Sequence, residues 1–518
     1  MERESQRLSI QQNLDNKKTI EERRRLGQFS TPSDLAREIV SFGLSLLGSG
    51  QVFFLDPAFG TGSFYSALLA LIDHRNLAYA QGIEIDPYYG IPAQRLWAGT
   101  DIHIKIADFT QLDPNRTFNF IICNPPYVRH HLIDSCDKLR IRNKTQYMSG
   151  IKLSGLAGLY CHFLLQSYKW MMEDGIAGWL IPSEFMDVNY GKDVKQFLLN
   201  NVELLRIHRY DPADVQFNDA LVSSAVVWFR KRKPQKAYSI EFSFGGSLAQ
   251  PSLIKTIDRE SLAPESKWTQ YPQSSMKPVD KSDARLSDYF IVKRGIATGN
   301  NDFFIMEKAK IEKLGLPFEF FRPVLPSARY LSENEILSDD NGNPIIPKQL
   351  FLLDCQLTED VIQARYPALW DYLERGKGTV ATGYLCRSRK CWYFQEQREA
   401  PPYICTYMGR DGANGSAFRF IYNHSKAIVT NSYLALYPKD DLSVLLTQIP
   451  QLRREIWTIL NQIKPKHLTD EGRVYGGGLR KLEPSELLNV PVPQIEELIS
   501  TVVPSFSKTR GKMLCINL

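Results

Sequence analysis

Between residues 52 and 230, short apolar runs alternate with amphipathic helical patterns, and this alternation constrains the fold more than any other feature. Such alternation is typical of a doubly wound α/β domain, in which helices cover both faces of a mostly parallel sheet. The loop at 211–219 is too short for a crossover helix, so the last two runs should pair antiparallel and complete a seven-stranded Rossmann-like sheet. The predicted strands are Val52–Asp56, Gln81–Asp86, His103–Asp108, Phe118–Asn124, Ile176–Ile181, Leu204–Tyr210 and Ala225–Arg230, and the predicted helices include Phe64–Ile72, Leu156–Met172 and Lys192–Asn201.

A chain of 518 residues is too long for one ordinary domain, so two are expected. Beyond residue 233 the alternation ends, and a stretch rich in Ser, Pro and Lys follows. We predict an N-terminal helical arm at 1–26, the α/β domain at 27–235, a linker at 236–284, a second α+β domain at 285–495 and a C-terminal tail at 496–518.

Composition excludes few classes of protein. Lys and Arg total 63 against 57 Asp and Glu, and this net charge of +6 permits a polyanionic partner without requiring one. No apolar run reaches the ~18 residues of a membrane helix, and the charged N-terminus is unlike a signal peptide, so we expect a cytoplasmic protein without a membrane anchor. The spacing of Cys386, Cys391, Cys405 and His424 matches no common zinc module, and no metal is expected.

The segment Asp56-Pro57-Ala58-Phe59-Gly60-Thr61-Gly62 lies between a predicted strand and a predicted helix. Glycines at this position let the backbone turn tightly and approach a ligand at the helix N-terminus. A phosphate-binding loop would carry a Lys after Gly62, and a dinucleotide fingerprint would carry a third glycine where Tyr65 stands. A nucleoside-type cofactor without phosphates therefore fits best.

Carboxylates follow the next two strands. Glu84, followed by Ile85, is placed to accept hydrogen bonds from both hydroxyls of a ribose. Asp108 could accept from an adenine amine, and the Phe109 ring could stack on the base. Because parallel strands end at the same edge of a sheet, these side chains and Asp56 should line one pocket.

The most specific motif is Asn124-Pro125-Pro126-Tyr127, at the end of the fourth strand. Two prolines fix the backbone and remove N–H groups that would compete for its carbonyls. The Asn124 side-chain oxygen and the Pro125 carbonyl can then both accept from one NH2 group, which restores the nitrogen lone pair. Tyr127 offers a ring face for stacking a base. A rigid structural turn is the alternative interpretation of the same residues.

These motifs, preceded by Gly27-Gln28-Phe29-Ser30-Thr31-Pro32, occur in the order seen in gamma-class amino-methyltransferases. The chain resembles the adenine-specific DNA methyltransferases of restriction–modification systems, TaqI-like in layout. The resemblance implies S-adenosyl-L-methionine (SAM) as the cofactor and a flipped adenine as the substrate. The cofactor-binding residues are then Thr31, Asp56, Pro57, Ala58, Gly60, Gly62, Glu84, Ile85, Asp108, Phe109 and Asn124.

The same resemblance assigns the catalytic positions to residues 124–127 and to Phe217, whose ring would stack on the adenine opposite Tyr127. Tyr rather than Trp after the prolines favours adenine over the N4 amine of cytosine. Because the sulfonium methyl is already activated, the reaction requires neither a metal nor an enzyme nucleophile. Methylation of a cytosine ring carbon would need a thiolate after a proline, whereas Cys123 precedes the Asn.

The segments 293–301 and 476–482 look like the opening and closing segments of TaqI-type specificity domains. The second domain is thus predicted to recognise a short specific site in double-stranded DNA. Basic residues interleaved with aromatic ones suit that role. The candidate DNA-binding residues are Arg294, Thr298, Asn300, Arg387, Arg389, Lys390, Arg473 and Arg480.

The resemblance further implies a monomeric prokaryotic enzyme that protects host DNA from a separately encoded restriction endonuclease. Three alternatives remain open at this point. The Asn-Pro-Pro-Tyr motif also suits an RNA base or a protein glutamine amide. A bifunctional restriction–modification enzyme is the second, although we find no clear nuclease motif in the sequence. A DNA-binding module with a decayed cofactor pocket is the third.

Overall fold

The computed structural model describes residues 2–73, 76–211, 223–235, 237–272, 284–410, 416–475 and 478–502. The chain divides into two compact units. The N-terminal unit comprises Met1–Ser275 with Tyr475–Gly477, and the C-terminal unit comprises Met276–Val474 with Gly478–Leu518. Within the described residues, no helix is both long and apolar enough to cross a bilayer.

The N-terminal unit is built on a nine-stranded sheet of order β3-β2-β1-β4-β5-β7-β6-β8-β9. Its strands are β1 (Val52–Asp56), β2 (Leu77–Glu84), β3 (Ile102–Ile106), β4 (Phe118–Cys123), β5 (Met171–Pro182), β6 (Glu203–Arg209), β7 (Ser224–Arg230), β8 (Ser239–Gly246) and β9 (Pro251–Asp258). Its helices are α1 (Glu2–Asn16), α2 (Ile20–Leu26), α3 (Ser33–Leu47), α4 (Ser63–Leu71), α5 (Pro87–Leu96), α6 (Ser135–Ser149), α7 (Leu159–Gln166) and α8 (Gly191–Asn200).

Strands β1 to β5 are parallel, and β7 runs antiparallel between β5 and β6. The period-two alternation of the central strands explains the layering, because successive side chains point to opposite faces. In β4, Phe120 and Ile122 enter a core shared with α3 and α4, whereas Ile121 and Cys123 enter a core shared with α7 and α8. The expected doubly wound α/β fold with an antiparallel strand is thus present.

Part of the stretch predicted as a linker, 236–284, extends this sheet. Strand β8 pairs parallel with β6, and β9 pairs antiparallel with β8. In β8, Ile240 and Phe242 are buried, whereas β9 is the edge strand and buries only Ile257. An edge strand with one buried side chain has the polar composition of a linker, which explains the difference from the prediction.

The C-terminal unit is an α+β unit with a five-stranded sheet of order β10-β18-β15-β17-β13 and two three-stranded sheets, β11-β14-β12 and β16-β20-β19. Its strands are β10 (Phe290–Arg294), β11 (Ile305–Met306), β12 (Phe321–Val324), β13 (Glu335–Ile336), β14 (Leu350–Leu353), β15 (Tyr403–Thr406), β16 (Met408–Gly409), β17 (Phe420–Asn423), β18 (Tyr433–Pro438), β19 (Arg473–Tyr475) and β20 (Leu479–Lys481). Its helices are α9 (Leu286–Tyr289), α10 (Asn301–Phe304), α11 (Lys308–Lys313), α12 (Glu359–Arg365), α13 (Pro367–Lys377), α14 (Tyr384–Arg387), α15 (Asp440–Gln448), α16 (Leu452–Gln462), α17 (Pro465–Glu471), α18 (Pro484–Leu488) and α19 (Pro493–Val502).

The last helix crosses the boundary predicted between the second domain and the tail. Helix α19 begins before residue 496 and continues to Val502, and Ile499 is buried in the core of the C-terminal unit. The apolar spacing of Ile495 and Ile499, one turn apart, explains why the helix continues past the predicted end.

Candidate active site

Four parallel strands of the N-terminal unit end at one edge of the sheet, and their last residues carry the predicted site. In the ladder, Asp56 of β1 lies opposite Gly82 of β2, and Glu84 lies opposite Ile106 of β3. Strand β4, which leads into Asn124, pairs with β1 on its other side. The adjacent order β3-β2-β1-β4 therefore gathers the predicted pocket residues at neighbouring strand ends, as expected for a crevice at the carboxyl edge.

The loop after β1 is held against the end of β2. The backbone N–H of Gly60 donates to Glu84 Oε2 at 2.8 Å, and the N–H of Phe59 donates to the Ile83 carbonyl at 2.9 Å. Gly60 and Gly62 have positive φ angles of 55° and 92°, which side chains rarely adopt. The glycine segment thus forms a fixed concave turn at the start of α4, directly beside the Glu84 carboxylate.

Burial perturbs both carboxyl groups at the centre of this edge. Burial raises the pKa of Asp56 to about 8, and the charge of the nearby Glu84 contributes in the same direction. Burial also raises the pKa of Glu84, although hydrogen bonds from the N–H groups of Asp86 and Gly60 oppose the shift. Two buried carboxyls without a cation between them are a costly arrangement. The site is therefore suited to a ligand that brings hydrogen-bond donors or positive charge.

Ile85 lies between the carboxylates of Glu84 and Asp86, and its side chain is 64% exposed. An apolar side chain at a strand end beside a polar crevice offers contact area for a flat ring. The Asp86 side chain caps α5 by accepting from Tyr88 N at 2.9 Å. Hydrogen bonds from Lys18 and Gln28 lower the pKa of Asp86, although burial opposes this.

The residues after the third strand differ from the prediction that Asp108 and Phe109 are both free to contact an adenine ring. Asp108 accepts from the backbone N–H and the hydroxyl of Thr110, at 2.8 and 2.7 Å, and forms an ion pair with Arg140 at 3.2 Å. The Phe109 ring is buried in the core, where it packs against Phe163 and Trp170. Asp108 therefore has structural partners of its own, and Phe109 is part of the floor of this edge rather than an exposed stacking platform.

The Asn124 side chain is half-buried and oriented by the segment that follows α2. Its Nδ2 donates to the Phe29 carbonyl at 3.0 Å and to Thr31 Oγ1 at 3.1 Å. Both amide hydrogens are therefore used, and no donor among the described residues reaches the side-chain oxygen. Thr31 is buried beside it. The predicted Thr31 and Asn124 are thus direct neighbours, and the Asn124 oxygen stays available as an acceptor.

The Tyr127 ring is half-buried and fixed at both ends. Its hydroxyl donates to the Leu180 carbonyl at 3.0 Å, and its ring lies 5.9 Å from Phe29 and 6.5 Å from Tyr160, measured between centroids. A ring held in this way loses little conformational freedom on contact with a ligand. Phe217, predicted to stack opposite Tyr127, lies outside the described residues.

The N-terminal arm contributes a buried arginine with several hydrogen bonds, which the sequence did not indicate. Arg7 of α1 is only 1% exposed, and its guanidinium pairs with Glu4 at 2.6 Å. It also donates to Ser63 Oγ at 2.9 Å and to Ser33 Oγ at 3.2 Å. Although burial opposes the shift, hydrogen bonds from Arg7 and Ser33 lower the pKa of Glu4 to about 2. The hydrogen bonds of Arg7 thus tie α1 to the first residues of α3 and α4.

A second contact ties the arm to the end of β2. Lys18 forms an ion pair with Asp86 at 2.7 Å, and Gln28 donates to the same carboxylate oxygen at 3.0 Å. The Lys18 ammonium also lies 4.7 Å from the ring centroids of Tyr88 and Tyr89. The predicted arm is therefore helical, but it is packed against the candidate site instead of being solvated.

The eight candidate DNA-binding residues of the C-terminal unit differ in their surroundings. Thr298 is buried and donates to Asn301, Asn300 caps α10, Arg389 donates to the Ala297 carbonyl at 2.7 Å, and Arg473 pairs with Glu486 at 2.6 Å. Arg294 is exposed, but it donates to the Asn431 carbonyl at 3.2 Å and lies 4.1 Å from the Tyr407 ring centroid. Arg387 and Lys390 are exposed, and Arg480 is half-buried.

Comparison with known proteins shows which methyltransferases the chain resembles. Residues 93–216 match the Eco57I restriction-modification methylase family, and residues 266–513 match the C-terminal domain of the Type II methyltransferase M.Eco57I. The Type II methyltransferase M.AccI of Acinetobacter calcoaceticus is 26% identical over 503 residues, which cover 92% of this chain and 87% of that protein. Over most of its length the chain is similar to Type II restriction–modification methyltransferases. A second relative, M.XamI of Xanthomonas campestris pv. amaranthicola, is 27% identical over 493 residues, 92% of this chain and 86% of its own.

A solved structure supports the fold of this methyltransferase. The Type IIL restriction-modification enzyme MmeI, determined in complex with DNA, superposes with a TM-score of 0.51 at 13% sequence identity. The match covers 79% of this chain, and this chain spans 59% of the longer MmeI chain. At that identity the likeness shows the shared fold.

Proposed function

We propose that this chain is a site-specific DNA methyltransferase that transfers a methyl group from SAM to the N6 amine of an adenine flipped out of double-stranded DNA. In a restriction–modification system, this reaction protects host DNA from a cognate endonuclease. The observation that carries the proposal is the orientation of Asn124. Its amide hydrogens are bound by Phe29 and Thr31, so its oxygen is presented beside the Pro125–Pro126 turn.

The residues of the N-terminal unit fit SAM as the cofactor. Glu84 keeps acceptor capacity on both oxygens beyond the two backbone N–H groups it accepts, which suits the ribose hydroxyls. Ile85 would contact the adenine ring of the cofactor, and the segment from Asp56 to Gly62 would hold its methionine part together with Thr31. When bound, SAM supplies an activated methyl group on a sulfonium centre.

The chain's own contribution to the reaction is to hold and polarise the target amine. An amine whose hydrogens are accepted by Asn124 Oδ1 and the Pro125 carbonyl moves toward tetrahedral geometry, and its lone pair leaves conjugation with the ring. Preorganised acceptors of this kind act where charge develops and require no reorganisation during the reaction. No general base with a tuned pKa is needed during methyl transfer, because the proton on the amine becomes acidic only after the nitrogen has been methylated.

The base must leave the DNA stack to reach Asn124, and this costs a few kcal/mol. Stacking on an aromatic ring returns about 1–3 kcal/mol per base. Tyr127 is suited to this, because its ring is half-buried and its hydroxyl is anchored on Leu180. In the same proposal Phe217 stacks on the opposite face of the base, and Arg294, Arg387 and Lys390 contact DNA from the C-terminal unit.

Cys123 provides a reason to prefer amine methylation over methylation of a cytosine ring carbon. Its side chain is completely buried, and burial raises the pKa of the thiol well above its usual value. A thiol held protonated in the core is a poor nucleophile. The N4 amine of cytosine, an RNA base and a glutamine amide remain the alternative acceptors that an experiment must separate.

The proposal is tested by incubating the purified chain and methyl-labelled SAM with unmethylated plasmid DNA, RNA or total protein. We expect label in DNA, and mass spectrometry of the digested nucleosides should identify it as N6-methyladenine. Single-molecule sequencing should then place the modified adenines in one short motif. Label in N4-methylcytosine, in RNA or in a glutamine side chain would contradict the assignment of adenine.

We predict that SAM binding at pH 7 releases about one proton from Asp56. With a pKa of about 8, this carboxyl is mainly protonated at pH 7, and a cationic ligand beside it favours the ionised form. Isothermal titration calorimetry at pH 7 should therefore give binding enthalpies that depend on the ionisation enthalpy of the buffer. At pH 9 Asp56 is already ionised, and this dependence should disappear.

Asp56→Asn is the matched control for this titration, because it keeps an oxygen acceptor for the Ala58 N–H but has no proton to release. The variant should bind SAM with an enthalpy that is independent of the buffer at both pH values. A wild-type enthalpy at pH 7 that does not depend on the buffer would show that Asp56 is not protonated in the free enzyme.

A further inference from the structure

A basic segment follows the Asn124–Tyr127 motif and continues into α6. Residues 129–144 carry five Lys or Arg and two His against two Asp. Part of this charge is used within the N-terminal unit. Arg140 pairs with Asp108 and Asp137, and Lys144 pairs with Asp113 at 2.5 Å. These two residues therefore have structural roles.

Four further basic side chains of this segment, Arg129, His130, His131 and Lys138, are called the cationic patch. In the described part of the chain, no carboxylate lies within ion-pair distance of any of the four. Burial lowers the pKa of His130, and the charges of His131, Lys138 and Arg129 lower it further. Arg129, His130 and His131 are consecutive in the chain. The rings of His130 and His131 meet edge to face at 5.4 Å.

The nearest acidic side chains do not neutralise the cationic patch. Asp134 caps α6 by accepting from the Cys136 N–H at 2.8 Å, and Asp137 pairs with Arg140. Arg129 and His131 are exposed, and His130 and Lys138 are half-buried. Lys138 also lines a small cavity of about 50 Å³ together with Arg142 and His162. The cavity adds a second cation, Arg142, beside the cationic patch.

The cationic patch lies next to the residues proposed to hold the flipped base. Arg129 follows Tyr127 by two residues, so their Cα atoms are at most about 7.6 Å apart. The intervening Val128 is buried, and its carbonyl accepts from the Leu159 N–H at 3.0 Å. The cationic patch is therefore attached to the Asn124–Tyr127 turn through an anchored residue.

We propose that the cationic patch binds the sugar–phosphate backbone of the substrate duplex beside the flipped base. This inference rests on the proposed function, since it places a target base at Tyr127. A base held there brings the phosphates of its own strand to the cationic patch, because successive charges on one strand lie about 3.4 Å apart along the helix axis. Contacts of this kind fix register and orientation without reading sequence.

The test compares the double variant Arg129→Gln/Lys138→Gln with the double variant Lys105→Gln/Lys233→Gln. Lys105 and Lys233 are exposed residues of the same unit without a described ion pair, so both variants lose two positive charges. Fluorescence anisotropy between 50 and 200 mM salt measures the affinity for two unmethylated 30-base-pair duplexes. One duplex contains the motif that the wild-type enzyme methylates, and the other does not. The affinity for SAM is measured by calorimetry.

We expect the patch variant to bind both duplexes about tenfold more weakly at 0.1 M salt. The slope of log affinity against log salt should fall in magnitude by about 2, since each lost phosphate contact removes about 0.9. SAM affinity should not change, and the Lys105/Lys233 variant should behave as the wild type.

Two results would overturn the inference: an unchanged salt slope, or an equal loss of affinity in the control variant. The proposed function fails separately, if the wild-type enzyme places no methyl group on DNA. A wild type that methylates DNA, together with a patch variant that binds DNA normally, would refute only the role of the cationic patch.

Discussion

Asn124→Ala should reduce the single-turnover rate of DNA methylation by at least 10²–10³-fold while SAM binds within a few-fold of the wild-type affinity. Removing one preorganised polar group from an active site typically costs that factor, about 2.7–4 kcal/mol. The substitution removes the oxygen that we propose accepts a hydrogen bond from the target amine. The proposed SAM contacts of Glu84 and the glycine segment belong to other strand ends and should persist.

Asn461→Ala provides the matched control. Asn461 also donates its side-chain amide to a backbone carbonyl, that of Trp457 at 2.9 Å, but at an exposed position of helix α16 in the C-terminal unit. Both variants lose such a bond, and only Asn124→Ala should lose turnover. Thermal unfolding of both variants separates chemistry from folding. Methylation by Asn124→Ala at near the wild-type rate, with normal unfolding, would refute the catalytic role of this oxygen.

The sheet was predictable where the sequence contains a short continuous apolar run. Strand β1 is observed over the predicted residues Val52–Asp56, and Ser224–Arg230 differs from its prediction by one residue. Central strands are buried on both faces because two cores flank them, and their sequences are therefore apolar almost throughout. Strand β9 and helix α6 bury few side chains. Their sequences are rich in polar residues and show no regular spacing of apolar residues that would distinguish them from a loop.

In the candidate site, too, some residues could be predicted from local sequence and others could not. Residue type and strand order were enough to place Glu84 and Asn124 at one edge of the sheet, whereas Thr31 was indicated by the family resemblance alone. The role of Arg7 depends instead on contacts with residues 26 and 56 positions away along the chain. In the sequence, Arg7 is one charge in a charged helix, and no pattern distinguishes a buried arginine from a solvated one. The structural partners of Asp108 and Phe109 were hidden for the same reason.

Gly27→Ala should lower the methylation rate about 10²-fold, although Gly27 bears no side chain and makes no proposed contact with substrate. Gly27 follows α2 with a φ of 65°, and a Cβ there would lie 2.4 Å from Tyr127 N and 2.9 Å from the Pro126 carbonyl carbon. Either the turn at residues 124–127 or the Phe29–Thr31 segment must then move. A displacement of about 1 Å at a reacting centre can cost 10²-fold in rate.

Gly99→Ala isolates the effect of backbone strain in this experiment. Gly99 also has a positive φ, 75°, but no atom lies within 4 Å of its added Cβ. Both variants should lose about 1–2 kcal/mol of stability, because a Cβ is unfavourable in the left-handed region. Only Gly27→Ala should lower the rate of the chemical step, with SAM affinity changed little. Equal kinetics in the two variants would mean that the Gly27 contact does not position Asn124.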